Sequence, residues 1–131
     1  MPLSQEDVDS LIKRSQDEFR SAWKNKDAKR IAELYHPQAQ GPAVIWATLV
    51  MSSDSCYFGR QAIQKTFESC LAHAPAEYEL HTELSAEAAN GEYLITRGFC
   101  SNSMVEKSNY ERILRKEQDG TYLIYHEQCN V

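Results

Sequence analysis

Two arginines stand where strand patterning expects core residues. In the stretch Gly91-Glu92-Tyr93-Leu94-Ile95-Thr96-Arg97-Gly98-Phe99-Cys100, the alternate positions Tyr93, Ile95, Arg97 and Phe99 share one face of a strand. In Tyr110-Glu111-Arg112-Ile113-Leu114, Arg112 shares a face with Tyr110 and Leu114, while Ile113 points the other way. A guanidinium keeps its charge at any accessible pH, and burying it without a partner is costly. Each arginine therefore demands an anion. An internal carboxylate would serve, with Glu127 on the last strand the first candidate and Glu111 the second. A ligand carboxylate, gripped by the two-pronged fork of the guanidinium, would serve equally. The plainer alternative puts both arginines on a sheet face open to water or to a partner, with their stems over apolar neighbours. The parity of GEYLITRGFC favours the pocket, but one strand does not decide between them.

Other side chains could complete such a site. Trp46 and Tyr57 flank the turn before the third helix, and Trp23 and Tyr35 end the first two; for any one of them core packing is the simpler role. His126 beside Glu127, or His36 in a loop, could act as a general base. No nucleophile with a visible base partner accompanies them, and His126 is expected as a hydrogen-bonded sheet residue. His36, His73, His81 and His126 are singly placed, without metal-ligand spacing, so no metal or other cofactor is expected. Cys56, Cys70, Cys100 and Cys129 form no CxxC pair and read as small buried hydrophobes in a reducing compartment. A single glycine in Gly59-Arg60-Gln61 is too little for a phosphate loop.

The bulk numbers set the frame. The 131 residues suit one domain, spanning 1–131. Hydrophobic residues at 42% and charged residues at 25% are those of a globular chain, not a disordered one. A net charge of -5 and scattered Lys and Arg argue against nucleic acid as a partner. No apolar run approaches the roughly 20 residues of a membrane span. The start MPLSQEDVDS lacks the basic and apolar regions of a signal peptide, so the expected compartment is the cytoplasm.

The elements that must position these residues follow from periodicity. Ser4-Gln5-Glu6-Asp7 reads as a capping box with Asp in place of Glu, ahead of a long helix with the stripe Val8, Leu11, Ile12, Ser15, Phe19, Ala22 and Trp23. Asp27 caps a short second helix through Tyr35, and His36-Pro37 stops it. Ala43 to Met51 reads as a buried strand, and Ser52 to Ser55 as a turn. A third helix starts at Gly59, carries Ile63, Phe67, Cys70, Leu71 and Ala74, and ends at Pro75. Tyr78, Leu80, Thr82 and Leu84 alternate with Glu77, Glu79, His81 and Glu83. Ala89-Asn90-Gly91 and Gln118-Asp119-Gly120 mark hairpins, separating strands around Arg97, from Met104 to Lys116 and from Tyr122 to Cys129. Helices first and a four-strand meander last indicate an α+β domain, a cone-shaped curved antiparallel sheet wrapped around N-terminal helices.

That order, with WKNKDAKRIAELYHP, GRQAIQKTF and the ending YERILRKEQDGTYLIYHEQC, resembles the nuclear-transport-factor-2-like superfamily and its SnoaL-like members. Within it, HTEL, ITRGF, ERILRKEQDGTYL and HEQC are most similar to the association (hub) domain of calcium/calmodulin-dependent protein kinase II. The resemblance covers nearly the whole chain; no kinase domain is present in it. It implies self-assembly into homodimers and rings of dimers, a kinase homologue as partner, and an interior pocket whose arginines match Arg97 and Arg112 and take a small carboxylate. A pocket histidine of that family falls near His81, but here His81 shares a strand face with Glu77, Glu79 and Glu83, a solvated row, and it is not counted in the site.

The expected function is therefore a non-catalytic oligomerisation domain with an arginine-lined pocket made by Arg97, Arg112, Tyr110, Glu127, Trp46 and Tyr57. Its dimer would form on a sheet face carrying Leu94, Ile113 and Leu123. The alternative is a SnoaL-like small enzyme or carrier for an apolar carbonyl or carboxylate compound. Many enzymes of that fold place an acidic base just after the second helix, where this chain has Gln38 and Gln40, and Gln cannot take up a proton.

Overall fold

The structure, a computed structural model, describes residues 3–37, 48–52, 55–103 and 107–129, with the backbone alone for 48–52 and 55–58. Three helices precede or interrupt six strands: α1 (Gln5–Lys24), α2 (Ala28–Glu33), β1 (Thr48–Ser52), β2 (Ser55–Phe58), α3 (Gly59–Leu71), β3 (Glu79–Ala88), β4 (Tyr93–Ser101), β5 (Ser108–Lys116) and β6 (Tyr122–Cys129). Ser4 caps α1 by accepting from the Asp7 amide at 3.1 Å, and Asp27 caps α2 by accepting from the Arg30 amide. Strand β2 is absent from the sequence reading, because Cys56-Tyr57-Phe58 is too short to show a period. Helix α3 ends at Leu71, earlier than Pro75 requires, and Lys26 donates to the freed Leu71 carbonyl at 3.0 Å.

The strands form one curved sheet in the order β2-β1-β6-β5-β4-β3, antiparallel except where β1 runs parallel to β6. The β3–β4 turn needs left-handed backbone at Ala89, Asn90 and Gly91, with φ of 54°, 57° and 85°. Register shifts in β3 between Thr82 and Leu84, and between β5 and β6 at Ile113/Leu114, bend the sheet. Leu94, Leu114 and Ile124 on its inner face are fully buried with Ile12, Ile31, Ile63 and Phe67 of the helices. This α+β arrangement, helices against a curved antiparallel sheet, is the one expected from the order of elements.

The face of β4 differs from the expectation. Leu94, Thr96 and Gly98 are buried, whereas Arg97 is exposed and Tyr93, Ile95 and Phe99 are half-buried. The Tyr93–Phe99 row is thus the outer face, and Leu94, expected outside, is core. The shift at Glu83 likewise turns Leu84 outward, where it is 36% exposed. Ile113 and Leu123 are half-buried residues of the outer face. Among the described residues no helix is long and apolar enough to cross a membrane.

Candidate functional site

Arg112 projects from β5 into the inner side, and Glu127 lies directly across from it on β6. Glu127 accepts from the Arg112 Nε–H through Oε2 and from the Tyr35 hydroxyl through Oε1. The side chains of the ion pair are 12% and 2% exposed. Tyr35 is brought there by backbone pairing: the segment leaving α2 bridges β6 at Tyr35 and Ile124, with Ile124 N–H donating to the Leu34 carbonyl and His36 N–H to the Ile124 carbonyl. Arg60, at the start of α3, donates to the Tyr35 carbonyl at 2.9 Å and holds the same segment from the other side.

The guanidinium lies 4.3 Å from the Phe19 ring centre and 5.4 Å from that of Tyr110, so aromatic faces support the cation. Gln16 of α1 fixes Tyr110 by donating to its hydroxyl at 3.2 Å. Beyond the pair opens a cavity of about 390 Å³. Its walls are mainly apolar, with Phe19, Trp23, Phe67 and Tyr78 as the aromatic panels, and Arg112 and Glu127 are its charged lining. Trp23 donates through Nε1 to the Pro75 carbonyl at 2.9 Å and ties down the loop after α3 that borders the cavity.

The electrostatics follow from burial. Burial alone would pull the Arg112 pKa down, but Glu127 more than offsets this, and the guanidinium is held charged more firmly than usual. Tyr35 is pushed well up by burial and then by the adjacent Glu127 carboxylate, so it remains a neutral donor. Burial raises Tyr78 to about 12 and raises the thiols of Cys70, Cys100 and Cys129, all three of which line the cavity in protonated form.

Of the residues named from sequence, Arg112, Tyr110 and Glu127 come together here. Arg97 does not. It sits on the outer face opposite Glu111 across β4 and β5, because the inward row of β4 is Leu94, Thr96, Gly98 and Cys100, of which Cys100 reaches the cavity. Trp46, Gln38 and Gln40 lie outside the described residues, as does the side chain of Tyr57. His81 is outside the cavity, exposed and stacked on Phe99 with ring centres 4.6 Å apart. His36 is engaged elsewhere, its Nδ1 lying 3.0 Å from Glu117. His126 pairs with Ile113, on the outward row. Among the described residues, no group of three or more His, Cys, Asp or Glu is arranged to hold a metal ion. Sequence named Tyr35 only as one of several aromatics that could complete the site, and the three thiols only as small buried hydrophobes; the Tyr35–Glu127 hydrogen bond was not foreseen. The available signal for Tyr35 was a large polar-tipped side chain closing an amphipathic helix, whose hydroxyl needs a partner once buried.

The chain is similar in fold to several solved structures. A nuclear-transport-factor-2-like protein of unknown function from Pseudomonas putida superposes with a TM-score of 0.71 at 14% identity, covering 98% of this chain and 88% of that one. A ketosteroid isomerase-like protein from Erwinia carotovora atroseptica gives 0.70 at 10% identity, covering 96% of each. A candidate calcium/calmodulin-dependent protein kinase II association domain from Xanthomonas campestris gives 0.62 at 17% identity, covering 86% of this chain and 79% of that one. No protein-family model matches the sequence, and no curated protein matches it. The fold is thus nuclear-transport-factor-2-like. Hub-like and isomerase-like proteins both share it, and fold alone does not choose between them.

Proposed function

We propose that this chain is a self-associating domain that holds a small molecule without converting it. The observation that carries the reading is the apolar cavity of about 390 Å³ with the buried Arg112–Glu127 pair in its wall. Its size and its few polar groups suit a compact ligand, with an apolar body among the aromatic rings and a carboxylate or carbonyl oxygen at the guanidinium. A holding role is favoured because both oxygens of Glu127 are already engaged, leaving it poorly placed to take a proton from a substrate. The likeness to isomerase-like structures supports an enzyme or carrier of apolar carbonyl compounds as the second reading.

Self-association is supported by the outer sheet face. There Leu84 is 36% exposed beside the half-buried Ile95, Phe99 and Ile113, an apolar surface that a second copy would cover by two-fold pairing. The likeness to a kinase association domain supports closure of dimers into a ring and a kinase homologue as partner. A cytoplasmic setting fits a sequence with four cysteines and no CxxC pair. Light scattering coupled to size exclusion tests the assembly: at micromolar concentration a mass of two or more chains is expected, and a strict monomer rejects it.

A further inference from the structure

Resting on the reading of the cavity as a ligand site, we infer that the cavity accepts only an electrically neutral load, so that a carboxylic acid enters together with one proton whereas its amide enters alone.

Arg112 contributes one positive charge to the interior and Glu127 cancels it. Among the described residues, the titratable groups around Glu127 and along the cavity are Tyr35 after α2, Cys70 on α3, Tyr78 before β3, Cys100 on β4, Tyr110 and Arg112 on β5, and Cys129 on its own strand. Tyr35, Tyr78 and the thiols are held neutral, as described above. The remaining titratable group of the described lining is His73, which is exposed. A ligand carboxylate would therefore leave the cavity with one uncompensated negative charge among apolar walls, where charge is strongly disfavoured. Two carboxylates on a single guanidinium share this penalty, and one proton taken up with the ligand removes it. The proton balance is simple: a carboxylate taken from water plus one solvent proton gives the bound, net-neutral pair, with no other bond made or broken. Because the bound state carries the extra proton, affinity must rise as pH falls.

The probes are benzoate and its neutral counterpart benzamide, titrated calorimetrically into the full chain between pH 6.5 and 8.5 in two buffers of different ionisation enthalpy. Benzoate is expected to take up about one proton per molecule bound, with affinity falling about tenfold per pH unit. Benzamide is expected to take up none and to show a flat profile. In Glu127→Gln, benzoate should bind without proton uptake and without pH dependence. Benzoate binding with no proton uptake overturns the inference and leaves the cavity reading intact. So does benzamide binding with benzoate excluded, and so does uptake that persists in Glu127→Gln but vanishes in His73→Asn. If neither probe binds at any pH, the cavity reading and this inference fall together. Should Glu127→Gln not fold, the two-buffer result on the unsubstituted chain decides alone.

Discussion

At the scale of single residues, the account rests on Arg112, Glu127 and Tyr35. A charge buried to this degree is tolerated because its counter-charge sits beside it, so removing one partner is worse than removing both. Glu127→Ala is expected to destabilise the chain by about 3–5 kcal/mol, since it strands the guanidinium. Arg112→Met combined with Glu127→Gln removes both charges and keeps an amide oxygen for the Tyr35 hydroxyl; its cost in urea denaturation should fall well below that of Glu127→Ala. Equal costs would mean the ion pair is not the element that matters. Arg97→Ala serves as the contrast. Its side chain is exposed, so stability should change by no more than about 0.5 kcal/mol. A large loss there would place Arg97 in the core after all. Sequence alone named Glu127 as the first candidate counter-charge, but not the register shift between β5 and β6 that turns both Ile124 and Glu127 inward. It did not foresee the bond from Tyr35, whose hydroxyl reaches Glu127 only through a tertiary bridge between Tyr35 and Ile124.

At the scale of elements, β4 shows what periodicity leaves out. Its two rows, Tyr93-Ile95-Arg97-Phe99 and Leu94-Thr96-Gly98-Cys100, are both largely apolar, and a slip of one position exchanges core for surface. The richer row turned out to be the outer one. A sheet whose outer face is itself suited to being covered does not show the polar-out alternation that would have fixed the side. Gly98 was the overlooked clue: glycine within a strand marks a close approach of another backbone. A Cβ added there would lie 2.0 Å from the His81 carbonyl oxygen. Gly98→Ala is therefore expected to cost about 3 kcal/mol, read as a lowered thermal midpoint with the cavity distorted, because rigid backbone on both sides cannot yield cheaply. A change below about 1 kcal/mol would contradict the register of β3 on β4. The helices, by contrast, were legible almost to their ends, since Ser4, Asp27 and Pro37 punctuate them by local chemistry.

At the scale of the whole molecule, the two faces of one sheet differ. The inner face closes a core and leaves room beside Arg112, while the proposed self-association would use Leu84, Ile95 and Phe99 of the outer face. Leu84→Glu with Ile95→Glu should reduce the solution mass to a single chain while leaving the far-ultraviolet dichroism and benzoate affinity unchanged, because neither residue touches the cavity. Loss of fold in that variant would show that these positions act within the chain rather than between chains. The claim on which the rest depends is that the space beside Arg112 receives a ligand. The most direct measurement is a crystal structure of the chain grown with saturating benzoate at pH 6.5. The account predicts the aromatic ring against the Phe19, Trp23 and Tyr78 panels of the cavity, with a carboxyl oxygen about 3 Å from an Nη atom of Arg112. A cavity filled instead by this chain's own side chains, with benzoate nowhere near the guanidinium, would contradict it.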